Sequence, residues 1–284
     1  MRSISRVLNS ARKCTRGRQG LPVDGKMIVD VIEGVMPTSI ALVDFANLSP
    51  QGTLAGLVAR DLSEYTVLRA DVVTALGPEL AWLSLDEVAQ ACVREFLGAD
   101  PVLLVGYCST AALTLRVAAK LNENGCHPAV VLIAPTWLTA DSIKDEFREV
   151  RTSLNAIDDY DAPLERGSFS AVLREDLVRE LRVEGFDEDE VAMGAEAVLA
   201  RYEAWFYFLL MTHRGSFDDP GQGFGGHLTI LSGDPLPARA SAQDLPFVAS
   251  QRLPVNDDDI LQSAATSSAI RSILTGGSTQ RNTR

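Results

Sequence analysis

The sequence is poor in the residues that build metal sites and disulfide frameworks. Its 284 residues include 4 cysteines and 3 histidines, and no two cysteines form a Cys-x-x-Cys pair. This scarcity disfavours a zinc site, and we expect no bound metal. Cysteines spaced this widely are normally reduced in a cytosolic chain, where each is most simply a small buried apolar residue.

Long apolar runs are also missing. No stretch approaches the roughly 20 apolar residues that span a bilayer. The first residues lack the apolar core of a secretory signal, since they are rich in arginine. We therefore expect a cytoplasmic protein without a membrane partner.

The charge is unevenly distributed. The net charge is −12, which disfavours a general nucleic-acid role. Residues 1–20 nevertheless contain only basic charges: Arg2, Arg6, Arg12, Lys13, Arg16 and Arg18. We expect residues 1–25 to form a disordered basic tail, with a docking arm as the alternative.

Short apolar strands and amphipathic helices alternate through residues 26–274, which we interpret as a single domain. Strands are predicted at 38–45, 65–69, 101–105, 130–133 and 227–231, with a candidate last strand at 252–255. Helices are predicted at 54–62, 85–97, 112–121 and 263–274. The alternation predicts an α/β fold with a mostly parallel central sheet flanked by helices. Residues 275–284 are predicted to be a flexible tail.

Residues 138–212 have a different character, because apolar residues recur there at helical spacing and no strand is evident. Asp187 and Glu190 have the spacing of a capping box at a helix start. We interpret this segment as a helical lid inserted over the sheet, with a plain helical layer of the core as the alternative. Trp205 and Phe208 are candidates for contact with an apolar substrate, although an aromatic run also suits a helix core.

The most informative stretch is Gly106-Tyr107-Cys108-Ser109-Thr110-Ala111, between a predicted strand and a predicted helix. A strand, a tight turn of the pattern Gly-x-nucleophile-x-Gly and a helix form a nucleophile elbow. Cys108 occupies the nucleophile position, where a helix N-terminus favours a thiolate. Thr110 replaces the second glycine of the pattern. The alternative is an ordinary turn with a buried cysteine.

With this turn, the chain resembles the α/β-hydrolase-fold thioesterases of polyketide and nonribosomal peptide biosynthesis. The resemblance covers about residues 38–274 and rests on the order and spacing of the first strand and loop, the turn at Cys108, the strand ending at Ile133, the helical insertion and the closing helix. It implies antibiotic-type biosynthesis in which an acyl group leaves the phosphopantetheine arm of an acyl or peptidyl carrier protein. The arm belongs to the substrate, and no bound cofactor is implied.

The resemblance also implies site residues. The loop after the first strand would form the oxyanion hole through the N–H of Phe45 or Ala46, together with Ser109 after the nucleophile. The triad acid is expected after the strand that follows Cys108, where Ala134-Pro135 offers none, or after the next strand. Asp234 stands at that second place, in a Gly-Asp-Pro turn that is also a common loop.

The triad histidine is missing from its usual place before the last helix. Asp257 and Asp258 stand there, and like-charge repulsion among adjacent aspartates is one way to make a stronger base. A solvated acidic loop is the alternative. We expect His127 and His227 at the opposite edge of the sheet from Cys108. His213 lies at the end of the predicted lid, where it is either a surface residue or swings in to act as a base.

Three functions follow from these residues. Cysteine is about a few per cent thiolate at neutral pH, so Cys108 is able to accept an acyl group without a histidine and pass it on. The second function is an unusual hydrolase with Asp257, Asp258 or His213 as base. The third is a non-catalytic relative that binds acyl chains or a carrier protein. We favour acyl transfer through an acyl-Cys108 intermediate.

Overall fold

A computed structural model describes residues 29–45, 53–156, 165, 167–215, 224, 226–235 and 248–281. Within them, seven strands form one sheet in the order β1-β3-β2-β4-β5-β6-β7. The strands are β1 Val29–Ile32, β2 Met36–Asp44, β3 Tyr65–Asp71, β4 Leu103–Tyr107, β5 Ala129–Ile133, β6 Leu228–Ser232 and β7 Val248–Arg252. Strand β1 runs antiparallel to β3, and the other pairings are parallel. The predicted α/β architecture is confirmed.

Eight α-helices accompany the strands in the described ranges. They are α1 Leu54–Asp61, α2 Val72–Leu76, α3 Leu85–Phe96, α4 Ala111–Glu123, α5 Ala140–Ser153, α6 Ser168–Val183, α7 Glu188–Gly215 and α8 Ala264–Arg281. Their starts follow from local chemistry: the Thr53 hydroxyl caps α1, and Ser84 with Glu87 forms a capping box for α3. Helix α8 continues to Arg281, into the segment predicted to be a flexible tail.

The two edge strands depart from the sequence prediction. Strand β1 was not predicted, because it is short and Val31 is exposed beside the charged Asp30. Strand β7 lies at Val248–Arg252, so the predicted strand at 252–255 is wrong. Exposed polar side chains occupy β7, including Ser250 and Gln251, and they give no apolar pattern. Both edge strands form because they pair with a neighbouring strand, and not because their side chains are buried.

The described residues divide into two compact units. One contains residues 76–82 and 138–211, and the other contains the sheet with its remaining helices. In the first unit, Phe169 packs against Phe147 and Phe206 with ring centroids 5.3 Å and 5.0 Å away. A buried ion pair joins α5 to α6, since Arg151 Nε lies 2.7 Å from Asp176 Oδ2. The role of this helical unit as a lid stays a prediction.

The unit that contains the sheet has its core in the central strands. Ile40, Leu104 and Leu132 are fully buried, as are the residues beside them in β2, β4 and β5. Strands covered on both faces read as continuous apolar runs, which is why these three were evident in the sequence. Their carboxyl ends form one edge, where Asp44, Tyr107 and the turn at Cys108 lie. No helix in the described part of the chain is long and apolar enough to cross a membrane.

Candidate functional site

Cys108 lies at a sharp turn between β4 and α4. Its φ is +52°, in the left-handed region that residues other than glycine seldom adopt. Its side chain is half-buried, whereas the flanking Tyr107 and Ser109 are buried. The strained turn therefore presents the thiol at the head of α4, and such strain often marks a functional position.

The turn depends on close packing of α4 against β4. A Cβ atom at Gly106 would overlap the Thr114 side chain, so position 106 admits only glycine without a shift of the helix. The Thr114 hydroxyl in turn donates a 2.9 Å hydrogen bond to the carbonyl of Thr110. The first glycine of the elbow pattern thus has a steric reason in this chain.

Thr110, the departure from the elbow pattern, is fully buried and bonded to backbone. Its Oγ1 accepts a 2.9 Å hydrogen bond from the Tyr107 N–H. The same hydroxyl lies 2.9 Å from the Tyr107 carbonyl oxygen and 3.3 Å from that of Val43, and donates toward them. A side chain here is tolerated because its polar atom is satisfied by the turn itself.

Two hydroxyl groups face the Cys108 sulfur. Thr136 Oγ1 lies 3.4 Å and Ser109 Oγ 3.6 Å from Sγ. The Thr136 N–H also donates a 3.1 Å hydrogen bond to the Cys108 carbonyl. Sequence reasoning missed Thr136, although it directly follows Ala134-Pro135, where only an acid was sought. The hydroxyl side chain directly after Ala134-Pro135 is the feature of the sequence that indicates a polar partner for Cys108.

Two of the three histidines lie at the far end of the sheet from the Cys108 sulfur. His127 precedes β5 and His227 precedes β6, so both occupy the amino-terminal edge of these parallel strands, opposite Cys108. His127 is exposed, and its Nδ1 lies 3.1 Å from Asn122 Oδ1. His213 belongs to α7. In the described part of the chain, the hydrogen-bond partners of the Cys108 sulfur are hydroxyls and not an imidazole.

Two of the candidate acids meet at the carboxyl edge of the sheet. Asp257 Oδ1 accepts hydrogen bonds from the backbone N–H groups of Gly233, at 2.6 Å, and Asp234, at 3.4 Å. Asp257 therefore holds the end of β6 against the segment before α8, where a Cβ at Gly233 would overlap the Val255 carbonyl. The Asp234 side chain is exposed, and so is that of Asp258.

Tyr107 is influenced electrostatically by both Cys108 and these acids. Burial raises the pKa of its phenol, and electrostatic repulsion from nearby groups, Cys108, Asp257 and Asp258 among them, adds to the effect. Its ring stacks on Phe45 with centroids 6.1 Å apart. The thiol and the acidic segment therefore share the surroundings of one buried phenol.

One of the backbone N–H groups predicted to form the oxyanion hole makes a hydrogen bond within the protein. The Phe45 N–H donates a 2.9 Å hydrogen bond to Asp44 Oδ1, and its role as a donor to an oxyanion stays a prediction. The prediction for Ala46 lies outside the described residues. Ser109 follows the nucleophile, as predicted, and is buried at the first turn of the helical segment.

Asp44 is a buried carboxylate at the end of β2. Its Oδ2 lies 3.2 Å from Arg69 Nε and accepts a 3.2 Å hydrogen bond from the Ala55 N–H. Burial raises the pKa of Asp44, and it outweighs the opposing effect of Arg69 and of the two N–H groups. Arg69 also pairs with Asp71, at 3.2 Å. The two ends of the loop after β2 are thus fastened to one carboxylate.

The two aromatic residues proposed for substrate contact are buried. The Trp205 ring stacks on that of Phe208, with centroids 5.7 Å apart. Trp205 Nε1 donates a 3.1 Å hydrogen bond to Glu146 Oε1, which ties α7 to α5. These contacts fit the interior of the helical unit, the alternative interpretation of this aromatic run.

A pocket of about 730 Å³ opens beside the acidic segment. Its described lining is mainly polar and charged: Asp234, Arg252, Asn256, Asp259, Gln262 and Ser263. Arg252 Nε donates a 3.1 Å hydrogen bond to the Gly233 carbonyl. Among the described residues, no cluster of His, Cys, Asp and Glu side chains is arranged to hold a metal ion.

Comparison with known proteins gives relatives by structure alone. No family model matches the sequence, and no curated protein matches it. A carboxylesterase of the thaumarchaeon Nitrososphaera gargenis is 10% identical, with a TM-score of 0.55, over 89% of this chain and 96% of that one. The acetyl esterase MekB is 15% identical, with a TM-score of 0.51, over 88% and 89%. The NocB thioesterase domain is 17% identical, with a TM-score of 0.48, over 87% and 99%.

The chain has the α/β-hydrolase fold. At these identities the likeness extends to the fold and not to the reaction. Cys108 lies at the turn between the central strand β4 and the helix that follows it.

Proposed function

We propose that this α/β-hydrolase-fold chain transfers acyl groups from thioesters through an acyl-Cys108 intermediate. The observation that carries the proposal is a half-buried thiol at a turn with φ of +52°, at the head of α4. A cysteine that serves only to fill the core does not require a left-handed backbone conformation. By contrast, burial raises the pKa of Cys92 to about 12, which keeps that thiol protonated.

The first step needs no imidazole. The Cys108 sulfur attacks the thioester carbonyl, a new carbon–sulfur bond forms, and the bond to the donor sulfur breaks. The proton lost from Cys108 ends on the released thiol, so one thiol and one thioester replace another. Because the bonds exchanged are alike, the step is nearly neutral in energy, and cysteine provides some thiolate unaided.

The second step favours transfer over hydrolysis. Water requires a general base within hydrogen-bond reach, whereas an amine or a thiol is itself a strong nucleophile. The described partners of the Cys108 sulfur are the hydroxyls of Ser109 and Thr136, and Asp257 is bonded to backbone N–H groups. We infer that the acyl group passes to an acceptor other than water.

The donor we propose is an acyl group on the phosphopantetheine arm of an acyl or peptidyl carrier protein. This choice rests on the resemblance of the sequence to thioesterases of polyketide and nonribosomal peptide biosynthesis. It is consistent with a thiol nucleophile, since a thiol exchanges acyl groups with a pantetheine thioester without an input of energy.

Thiol release from a panel of acyl-pantetheine thioesters, with and without an added amine or thiol acceptor, tests the proposal. We expect wild type without an acceptor to release thiol only once per protein molecule, and to turn over repeatedly when the acceptor is added. Cys108→Ala should release none. Cys108→Ser should be equally inactive, because a serine hydroxyl without a base is a poor nucleophile. Full activity in either variant would contradict the proposal.

One observation favours a second candidate, a non-catalytic binding protein. The Phe45 N–H, a potential oxyanion donor, is held by the Asp44 carboxylate. A relative that only binds acyl chains or a carrier protein would have no use for that donor. It would release no thiol, and Cys108→Ala would bind an acyl-carrier protein as tightly as wild type in a calorimetric titration.

A further inference from the structure

Thr136 is tied to Cys108 at two points. Its N–H donates to the Cys108 carbonyl at 3.1 Å, and its Oγ1 lies 3.4 Å from Sγ. The backbone hydrogen bond fixes the loop after β5 beside the elbow. The Thr136 hydroxyl is therefore held close to the Cys108 sulfur. Thr136 is exposed, and an acyl donor approaching Cys108 would meet both side chains.

The direction of this hydrogen bond changes with the state of the sulfur. While Cys108 is a thiol, either atom can donate. Once the sulfur is a thiolate it has no proton, so the hydroxyl must donate and the sulfur accept. Hydrogen bonds to a charged acceptor are stronger than those between neutral groups. A hydroxyl that donates to a sulfur thus favours the thiolate over the thiol.

We propose that Thr136 is a catalytic residue that stabilises the Cys108 thiolate by donating its hydroxyl hydrogen bond. The proposal rests on the function proposed above, and it assigns to this hydroxyl the stabilisation that an imidazolium provides in cysteine–histidine pairs. Thr136 keeps its proton throughout. It donates to the attacking sulfur, and the hydrogen bond weakens as the sulfur becomes a neutral thioester.

Alkylation of Cys108 by iodoacetamide, localised by peptide mass spectrometry, tests this residue without any acyl substrate. We expect Thr136→Val to alkylate about three- to tenfold more slowly than wild type at neutral pH, and its pH profile to move to higher pH. Thr136→Ser keeps the hydroxyl and should retain the wild-type rate. Thr152→Val, at an exposed threonine of α5, is the matched control and should be unchanged.

The outcomes separate this proposal from the one on which it rests. An unchanged rate in Thr136→Val, an equally slow rate in Thr136→Ser, or no alkylation of wild-type Cys108 would each overturn the role of Thr136. If alkylation follows the expected order but acyl-pantetheine releases no thiol, the acyl-transfer function fails and the hydrogen bond stands.

Discussion

At the scale of the residue, the molecule keeps a cysteine where its backbone favours glycine. The left-handed conformation of Cys108 costs about 1 kcal/mol for a residue with a Cβ. If packing were the only requirement at this position, glycine would avoid this conformational cost. The strain is therefore consistent with a side chain retained for its sulfur.

Replacing Cys108 with glycine should show this cost. We expect Cys108→Gly to be about 0.5–1 kcal/mol more stable than Cys108→Ala, because glycine adopts positive φ freely. Urea unfolding of the two variants measures the difference, and since both lack the thiol, loss of its contacts cancels. A less stable glycine variant would contradict the left-handed geometry.

The sequence was informative about Cys108 and not about its partners. The pattern around Gly106 is local, and the strand and helix that flank it could be predicted from apolar periodicity. Thr136 becomes a neighbour of the sulfur only through the pairing of β4 with β5. Such contacts depend on register across the sheet, which periodicity does not specify.

At the scale of the element, the elbow depends on the approach of α4 to β4. Gly106→Ala should destabilise the fold by about 1–3 kcal/mol, because the added methyl group overlaps Thr114. Removing the obstruction in a Gly106→Ala/Thr114→Ala double variant should recover part of the loss, relative to Thr114→Ala alone. Thermal or urea unfolding of the four proteins completes the cycle, and strict additivity would contradict the steric account.

In the acidic segment before α8, two adjacent aspartates have different roles that the sequence alone does not distinguish. Asp257 and Asp258 were equal candidates for a base, yet only Asp257 holds the backbone N–H groups at the end of β6. Both are adjacent in sequence, and the choice between them depends on which side chain the 3₁₀ turn at 257–262 directs toward Gly233.

Substitution of each aspartate should separate the two. We expect Asp257→Ala to lose about 1–2 kcal/mol of stability, since it leaves the Gly233 N–H without its acceptor. Asp258→Ala removes an exposed neighbour and should stay within about 0.5 kcal/mol of wild type. Equal effects in denaturant unfolding would show that Asp257 does not anchor this segment.

At the scale of the whole molecule, central strands were easier to predict than edges. The central parts of β2, β4 and β5 are buried on both faces and therefore carry continuous apolar runs. β1 and β7 are strands because they pair with β3 and β6, respectively. Their exposed polar residues give them a sequence pattern like that of a loop. The candidate site residues lie where the parallel central strands end, which the alternation of strands and helices does predict.

Asp44 should make the stability of the whole domain depend on pH. Its pKa is raised above 3.8, so the folded state binds more protons than the unfolded state between the two pKa values. The stability that wild type has relative to Asp44→Asn should therefore fall as pH rises through that window. Asp30→Asn removes an exposed carboxylate from the same Arg69 and is the matched control.

Urea unfolding of the three proteins at a series of pH values from roughly 3 to 7 measures this dependence. A wild-type advantage that grows with pH would contradict the account, since it would mean that the Arg69 charge outweighs burial and lowers the pKa of Asp44.

The central claim is that Cys108 accepts an acyl group, and intact-protein mass spectrometry after incubation with acyl-pantetheine or acyl-carrier thioesters tests it most directly. We expect wild type to gain the mass of one acyl group, mapped by peptide analysis to Cys108, and Cys108→Ala to gain none. The adduct should persist in water and disappear when an amine or thiol acceptor is added. No adduct across a varied acyl panel, or an equal adduct in Cys108→Ala, would contradict the claim.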